Sequence, residues 1–219
     1  MDSLTQAALG AALGEAVAGR RLGGIKALAL GAALGTLPDL DVLIPYENAV
    51  DSFTRHRGFS HSFLILGLMA PVLAWPLWRA FKGKLSYLRA WALCALALVT
   101  HPMLDGFTVY GTQLFWPLKS PPVSISSIFI IDPAYTLPLL LGLAGTLWLR
   151  RRGAARAPWP NALGLTVATL YLGITLGAKG VIETRVETAL PMAAGHSEGS
   201  VLTTPAPLNT LLWRVVVME

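Results

Sequence analysis

The chain has 219 residues, of which 54% are hydrophobic and only 13% are charged, and its mean hydropathy is +0.57. Soluble domains carry about 25% charged residues, so this composition excludes an ordinary soluble domain and favours an integral membrane protein. The net charge of +5 also suits nucleic acid binding. The basic residues, however, cluster beside the apolar segments, which indicates membrane topology and argues against a nucleic acid partner.

Six apolar segments predict an all-α, polytopic transmembrane helix bundle of about six spans. The predicted helices cover residues 4–18, 23–37, 62–81, 87–104, 135–149 and 162–177. The first two are short and rich in small residues, including Gly10 and Gly14 in one and Gly31 and Gly35 in the other. Small residues four apart allow helix backbones to approach closely in a bilayer. We therefore expect these two helices to pack as an inner hairpin, with a pair of soluble core helices as the alternative.

The placement of basic residues predicts the orientation of the spans. Eleven of the seventeen Lys and Arg residues lie in three alternate connections, those between helices one and two, three and four, and five and six. Short basic loops are retained in the cytoplasm. The opposite side carries eleven of the twelve acidic residues and all four histidines. This pattern predicts a multi-pass membrane protein with both termini, and the polar site described next, outside the cytoplasm.

The C-terminal region differs in composition from the rest of the chain. We expect the membrane domain to cover residues 1–180, with helix six ending near Lys179, and residues 181–219 to form an extracytoplasmic tail. Residues 211–218 have strong β propensity and no second strand follows them. The tail therefore resembles the start of a truncated β-containing domain.

The first two of three polar motifs flank the connection between helices two and three. Asp39 and Asp41 follow a proline at the end of helix two, where two carboxylates can share a metal ion. An Asp-x-Asp after proline is more often a solvated turn. His56 and His61 precede helix three and supply two imidazoles five residues apart.

The third motif closes helix four, where His101 and Asp105 share one helical face because they are four residues apart. Successive spans alternate in direction, so all three motifs meet at one side of the membrane. Ionisable residues beside or within spans are costly and favour a functional role. The motifs predict a site for one or two divalent ions, with zinc, manganese and iron as alternatives. The predicted ligands are Asp39, Asp41, His56, His61, His101 and Asp105.

Other polar residues on that side have predicted supporting roles. A metal with an open position can activate water for hydrolysis, and we expect Asp39, His61 and Arg57 to take part in catalysis. The planar guanidinium of Arg57 suits a phosphate, with a simple ion pair to Asp51 as the alternative. Gln6 is positioned to orient a ligand, and Asp132 is a candidate cap for helix five.

Four ordered runs, MDSLTQAALGAALGEA, GTLPDLDVL, HRGFSHS and HPMLDGFTVYGTQLFWP, resemble the YdjM-type bacterial inner-membrane metal-dependent hydrolases. The resemblance covers residues 1–180, and that family is distantly similar to zinc-dependent phospholipase C. It implies a zinc cluster at Asp39, His56, His61, His101 and Asp105, with Asp41 also matching the motif. Many relatives have a histidine where this chain has Gln6, which leaves the number of metal ions open.

The motifs and the resemblance together predict a membrane-bound, metal-dependent hydrolase. The expected substrate is a phosphoester of a lipid or envelope precursor, because a site at the headgroup level meets lipids by lateral diffusion. The expected partners are the lipid bilayer and a lipid-like or phosphorylated substrate, and nothing in the sequence indicates the oligomeric state. The alternatives are a divalent-metal transporter, or a structural or regulatory membrane protein in which the metal staples helices together.

Overall fold

The computed structural model describes residues 1–45, 57–154, 158–193 and 200–218. Within these residues the chain is mainly α-helical, which confirms the helical prediction. The described helices are α1 (Ser3–Leu22), α2 (Gly24–Thr36), α3 (Phe63–Ala80), α4 (Tyr87–Gly106), α5 (Pro133–Arg151) and α6 (Trp159–Ala193). The described residues between α2 and α3 include two 3-10 helices, Leu37–Leu43 and Phe59–His61.

Three helical segments within the described residues are long and apolar enough to cross a membrane, namely α3, α4 and Trp159–Ala189 of α6. The spanning windows of α3 and α6 are only 17% and 11% buried within the protein, whereas that of α4 is 44% buried. The helix α4 is therefore a central helix, and α3 and α6 present apolar side chains outward, as lipid contact requires. The finer expectation of about six spans remains a prediction.

Four helices begin with a side chain that caps the helix. The carboxylates of Asp2 and Asp132 accept hydrogen bonds from backbone amides in the first turns of α1 and α5. The hydroxyls of Ser62 and Ser86 do the same for α3 and α4. Such caps satisfy amides that lack partners within the helix. The predicted capping role of Asp132 is confirmed.

The helices α1 and α2 form the close hairpin that their glycines predict. A Cβ atom built on Gly10 would lie 2.3 Å from the carbonyl oxygen of Gly31, and one on Gly14 would lie 2.2 Å from that of Ala27. Only glycine allows the two backbones to touch in this way. The packing fixes the start of α1 and the end of α2 at the same end of the bundle.

The last helix is longer than predicted. The helix α6 continues to Ala193 rather than ending near residue 177, and its 35 residues span roughly 50 Å. Hydropathy falls after Gly177, but Glu183, Arg185 and Glu187 suit an exposed helix, and Lys179 pairs with Glu183 one turn later at 2.9 Å. The fall in hydropathy therefore marks a change of environment and not the end of the helix.

An antiparallel hairpin of β1 (Ser200–Pro205) and β2 (Trp213–Met218) follows α6. The register pairs Ser200 with Met218 and Pro205 with Trp213. The partner of the predicted strand thus precedes it, which corrects the expectation of an unpaired strand. The Lys179 ammonium donates to the Thr203 carbonyl oxygen at 3.2 Å, which packs the hairpin against α6. The membrane side on which this region lies remains a prediction.

Candidate metal centre

Asp39, His61, His101 and Asp105 lie together at the end of the bundle where α2 and α4 finish and α3 begins. One nitrogen or carboxylate oxygen from each lies within 4.8 Å of the others. The side chains of His61, His101 and Asp105 are fully buried, and that of Asp39 is 22% exposed. The group could hold a metal ion, and Asp39 forms its accessible side.

The four facing atoms are spaced as ligands of one small ion would be. Asp39 Oδ1 lies 3.2 Å from His101 Nε2 and 3.6 Å from His61 Nε2. Asp105 Oδ2 lies 3.3 Å from His61 Nε2 and 3.8 Å from His101 Nε2. Atoms bound tetrahedrally to zinc at about 2.0–2.1 Å are roughly 3.3–3.4 Å from one another. The observed spacings therefore fit a divalent ion with little movement of the side chains.

The hydrogen bonds behind the two imidazoles fix which ring nitrogen faces the centre with a lone pair. His101 Nδ1 lies 2.6 Å from the carbonyl oxygen of Gly35, which can only accept, so Nδ1 carries the hydrogen. His61 Nδ1 lies 2.9 Å from Ser60 Oγ, whose own hydrogen goes to Asp41 Oδ2 at 2.6 Å. The Nε2 atoms of the two histidines consequently face each other at 3.2 Å. A cation between them relieves the repulsion of their lone pairs.

The electrostatics of the site also favour positive charge at its centre. Burial lowers the pKa of the His61 imidazole, but the carboxylates of Asp105 and Asp39 outweigh burial and hold that pKa above its usual value. Burial raises the pKa of Asp39, and contacts with His101 and His61 outweigh it, so that pKa lies well below its usual range. Protons and metal ions therefore compete for the same nitrogen.

One carboxylate oxygen of Asp105 is held by hydrogen bonds, and the other faces the centre. Its Oδ1 accepts hydrogen bonds from the α-amino group of Met1 and, at 3.2 Å, from Gln6 Nε2. Gln6 Nε2 also donates to the carbonyl oxygen of His101 at 3.1 Å. Among the described residues the buried Oδ2 has no hydrogen-bond donor, so this oxygen is available to an ion. Gln6 thus orients a candidate ligand.

Asp41 lies behind His61 and outside the group of four, and its predicted role as a direct ligand remains a prediction. Its Oδ2 accepts hydrogen bonds from Ser60 Oγ and, at 3.2 Å, from the backbone amide of Arg57. It lies 3.8 Å from His61 Nδ1, the nitrogen that points away from the centre. With three residues per turn in a 3-10 helix, residues two apart point in different directions. Asp39 therefore reaches the centre while Asp41 orients His61 through Ser60.

Arg57 lies against the centre and contacts the loop that follows α4. Its Nε is 3.5 Å from Asp105 Oδ2, its Nη1 is 3.4 Å from Thr108 Oγ1, and its guanidinium carbon is 5.3 Å from the centre of the Tyr110 ring. The residue has a left-handed backbone with φ of 66°, which is uncommon for a non-glycine residue. Its carbonyl oxygen accepts from the Gln113 amide at 3.1 Å. These contacts direct a buried cation towards the site.

Some predicted parts of the site stay untested, and some observed parts were not predicted. His56 and Asp51 lie outside the described residues, so the metal role of His56 and the proposed Arg57–Asp51 pair remain predictions. Sequence reasoning missed Ser60 and the Gly35 carbonyl. Ser60 could have been found from its place directly before His61, whereas a backbone carbonyl leaves no sequence signal.

Several exposed apolar side chains lie close to the candidate ligands along the chain. Phe59 and Trp116 pack edge to face at 6.5 Å, and both are more than one third exposed. Val42 and Leu43, close to Asp39, are 71% and 76% exposed. Exposed apolar groups of this kind are typical of a lipid-contacting or binding surface. The mouth of the site thus suits an amphipathic environment.

The fold and the site define a helical membrane protein with a candidate metal centre at one end of its helices. The chain belongs to the YdjM inner membrane protein family, whose sequence model matches residues 1–182. This membership confirms the family predicted from the four sequence runs.

Two relatives show how far the similarity extends. The chain is 30% identical over 168 residues to the inner membrane protein YbcI of Escherichia coli (strain K12), covering 66% of this chain and 92% of YbcI. It is 27% identical over 229 residues to the uncharacterized protein YfhP of Bacillus subtilis (strain 168), covering 99% of this chain but 65% of YfhP. The chain therefore spans less than two thirds of the length of YfhP. No solved structure matches the chain significantly.

Proposed function

We propose that this protein is a membrane-bound, metal-dependent hydrolase that acts on a phosphoester. The observation that carries the proposal is the pair of His61 and His101 Nε2 atoms, 3.2 Å apart, facing the carboxylates of Asp39 and Asp105. Two imidazoles and two carboxylates suit zinc, with manganese and iron as alternatives. A divalent ion held there would supply the means to lower the pKa of a water molecule for hydrolysis.

The side chains of the site have distinct roles in this proposal. Arg57 offers a planar fork that matches two oxygens of a phosphoryl group, and it already lies 3.5 Å from Asp105 Oδ2. Asp39, at 22% exposure, is the most accessible of the four and would meet an entering substrate first. His61 is fixed by Ser60 and Asp41, which keeps its Nε2 directed at the centre.

The surroundings of the site support a lipid or envelope precursor as the source of the phosphoester. The apolar rim around Asp39 suits an amphipathic substrate that arrives by diffusion within the membrane. The basic residues at the other ends of the helices support an orientation in which the site faces the periplasm or cell exterior. A substrate of this kind would present its phosphate at the depth of Arg57.

A metal staple is the second candidate, because four protein ligands near tetrahedral spacing are also typical of structural zinc sites. In that case the ion joins α2, α3 and α4 and no turnover occurs. The transporter alternative requires further ligands along the bundle. The residues that the structure describes contain a single group able to hold an ion, which favours the other two functions.

The test combines metal analysis with turnover. Full-length protein is purified in detergent without added metal, its metal content is measured, and hydrolysis of p-nitrophenyl phosphate, bis(p-nitrophenyl) phosphate and a short-chain phosphatidic acid is followed. His61→Ala should lose both ion and activity. Arg57→Gln should keep the ion and lose about 100-fold or more in kcat/KM, while Arg79→Gln, an exposed cation at the far end, should match wild type.

The outcomes separate the three functions. Bound metal with no turnover by wild type on any substrate supports the staple. Accumulation of the metal inside sealed vesicles containing the protein supports the transporter. Absence of any tightly bound divalent ion contradicts the hydrolase.

A further inference from the structure

A basic cavity lies at the opposite end of the bundle from the candidate metal centre, where α1 ends and α4 begins. Its volume is about 390 Å³, and it is lined by Arg21, Gly83, Lys84, Leu85, Ser86 and Arg89. Along α4, Arg89 and His101 are separated by about 18 Å of helix. The cavity is therefore a separate feature from the metal centre.

The cations of this cavity are not paired with acidic side chains in the part of the chain that the structure describes. Within the described residues, Arg21, Lys84 and Arg89 form no ion pair. Glu15, the acidic residue towards this end of α1, is buried and already paired with Arg150. Several cations around one cavity of this size create a potential that attracts a phosphate-sized anion.

Aromatic and apolar side chains next to the cavity indicate that it lies beside lipid. The rings of Trp78 and Tyr87 pack edge to face at 6.3 Å directly next to Ser86, and such amphipathic rings favour the membrane interface. Farther along α4, Leu88 and Trp91 are 69% and 40% exposed. A ligand here would meet cations at one end and an apolar helix surface at the other.

We propose that this cavity binds the phosphodiester headgroup of an anionic phospholipid, with Arg21, Lys84 and Arg89 around the phosphate and the acyl chains along Leu88 and Trp91. Basic pockets between membrane helices recognise such headgroups elsewhere. The site does not depend on the metal centre or on the proposed hydrolase activity. The retention of basic loops in the cytoplasm would also place cations here. If that were their only role, removing the cations of the cavity would have the same effect on lipid binding as removing other cations of the same loops.

The experiment compares two triple variants of the full chain that remove the same charge from the same two loops. Arg21→Gln/Lys84→Gln/Arg89→Gln empties the cavity of cations, and Arg20→Gln/Arg79→Gln/Lys82→Gln leaves the cavity lining intact. Lipid retention in detergent is measured by native mass spectrometry with phosphatidylglycerol or phosphatidylcholine. The Tm is measured with each lipid and with inorganic phosphate, and circular dichroism checks the fold.

Wild type and the second variant should retain phosphatidylglycerol at least about tenfold better than phosphatidylcholine, and the cavity variant should lose that preference. Phosphatidylglycerol should raise the Tm where inorganic phosphate does not. Equal losses in both variants, or no preference in wild type, would overturn the proposal. So would an equal effect of inorganic phosphate, which would identify a free anion as the ligand. The wild-type measurement keeps the proposal open to contradiction even if the cavity variant does not fold, because a wild type without the preference would overturn it.

Discussion

His61 and His101 direct their Nε2 atoms at each other across 3.2 Å, on rings whose centroids are 4.9 Å apart. Each ring is held from behind, His101 by the Gly35 carbonyl and His61 by Ser60. Neither ring can turn away without breaking a hydrogen bond that is buried at His101 and partly buried at His61, which costs free energy. The two Nε2 atoms are thus positioned to bind one cation between them.

Replacing His101 with alanine should abolish tight binding of a divalent ion, because one of four converging ligands is lost. The measurement is the metal content of protein purified without added metal. Met103→Ala, a change on the same helix at a side chain that is 44% exposed, should leave the metal content unchanged. A full complement of ion in His101→Ala would remove this residue from the site.

Asp41→Asn should weaken metal binding by about 10–100-fold without abolishing it, since Asp41 orients His61 through Ser60 and does not face the centre. Ser60→Ala should have a similar effect. Competition with a chelating dye measures the affinity. A loss as complete as that of His101→Ala would mean that Asp41 is a direct ligand, and unchanged affinity would mean that it does not orient His61.

The affinity for metal should fall as the pH falls, and the decline should begin above pH 6.5, the usual pKa of histidine. In the metal-free site the pKa of His61 is raised, so its imidazole still holds a proton at a pH where an ordinary histidine has lost it. That proton must leave before Nε2 can bind metal. Asp39, with its lowered pKa, stays ionised and adds no dependence in this range. Titration of affinity against pH tests this, and a decline confined to the carboxylate range would contradict it.

Gly31→Ala should destabilise the protein by about 1–3 kcal/mol or more. The added Cβ would lie 2.1 Å from the Gly10 carbonyl oxygen and force α1 and α2 apart. Gly173→Ala on α6 is the matched control, because its Cβ would meet nothing within 4 Å. Thermal unfolding in detergent compares the two variants. Equal Tm values would show that the hairpin tolerates a wider separation.

Sequence reasoning located the helices well because apolar length and small-residue spacing are direct consequences of packing in lipid. It misjudged the end of α6, since hydropathy reports environment and the polar residues after Gly177 also form helix. It missed β1, whose residues Ser200–Pro205 include two threonines and end in proline, so that they lack a clear apolar alternation.

The candidate site was predictable to a similar extent. The parts of it that the sequence did not predict were missed for a different reason. Alternation of the helices was enough to expect Asp39, His61, His101 and Asp105 at one end. That Asp39 joins this group while Asp41 lies behind His61 depends on the turn of a 3-10 helix, which a two-residue spacing does not reveal. The role of Gly35 lies in its carbonyl oxygen, which every residue possesses.

X-ray absorption spectroscopy at the metal edge, on protein purified without added metal, tests the metal centre most directly. We expect one divalent ion per chain, with two imidazoles and carboxylate oxygens at about 2.0–2.1 Å if the ion is zinc, and loss of the imidazole signal in His61→Ala. An ion without imidazole ligands, or no bound ion, would contradict the assignment of these four residues to a metal site.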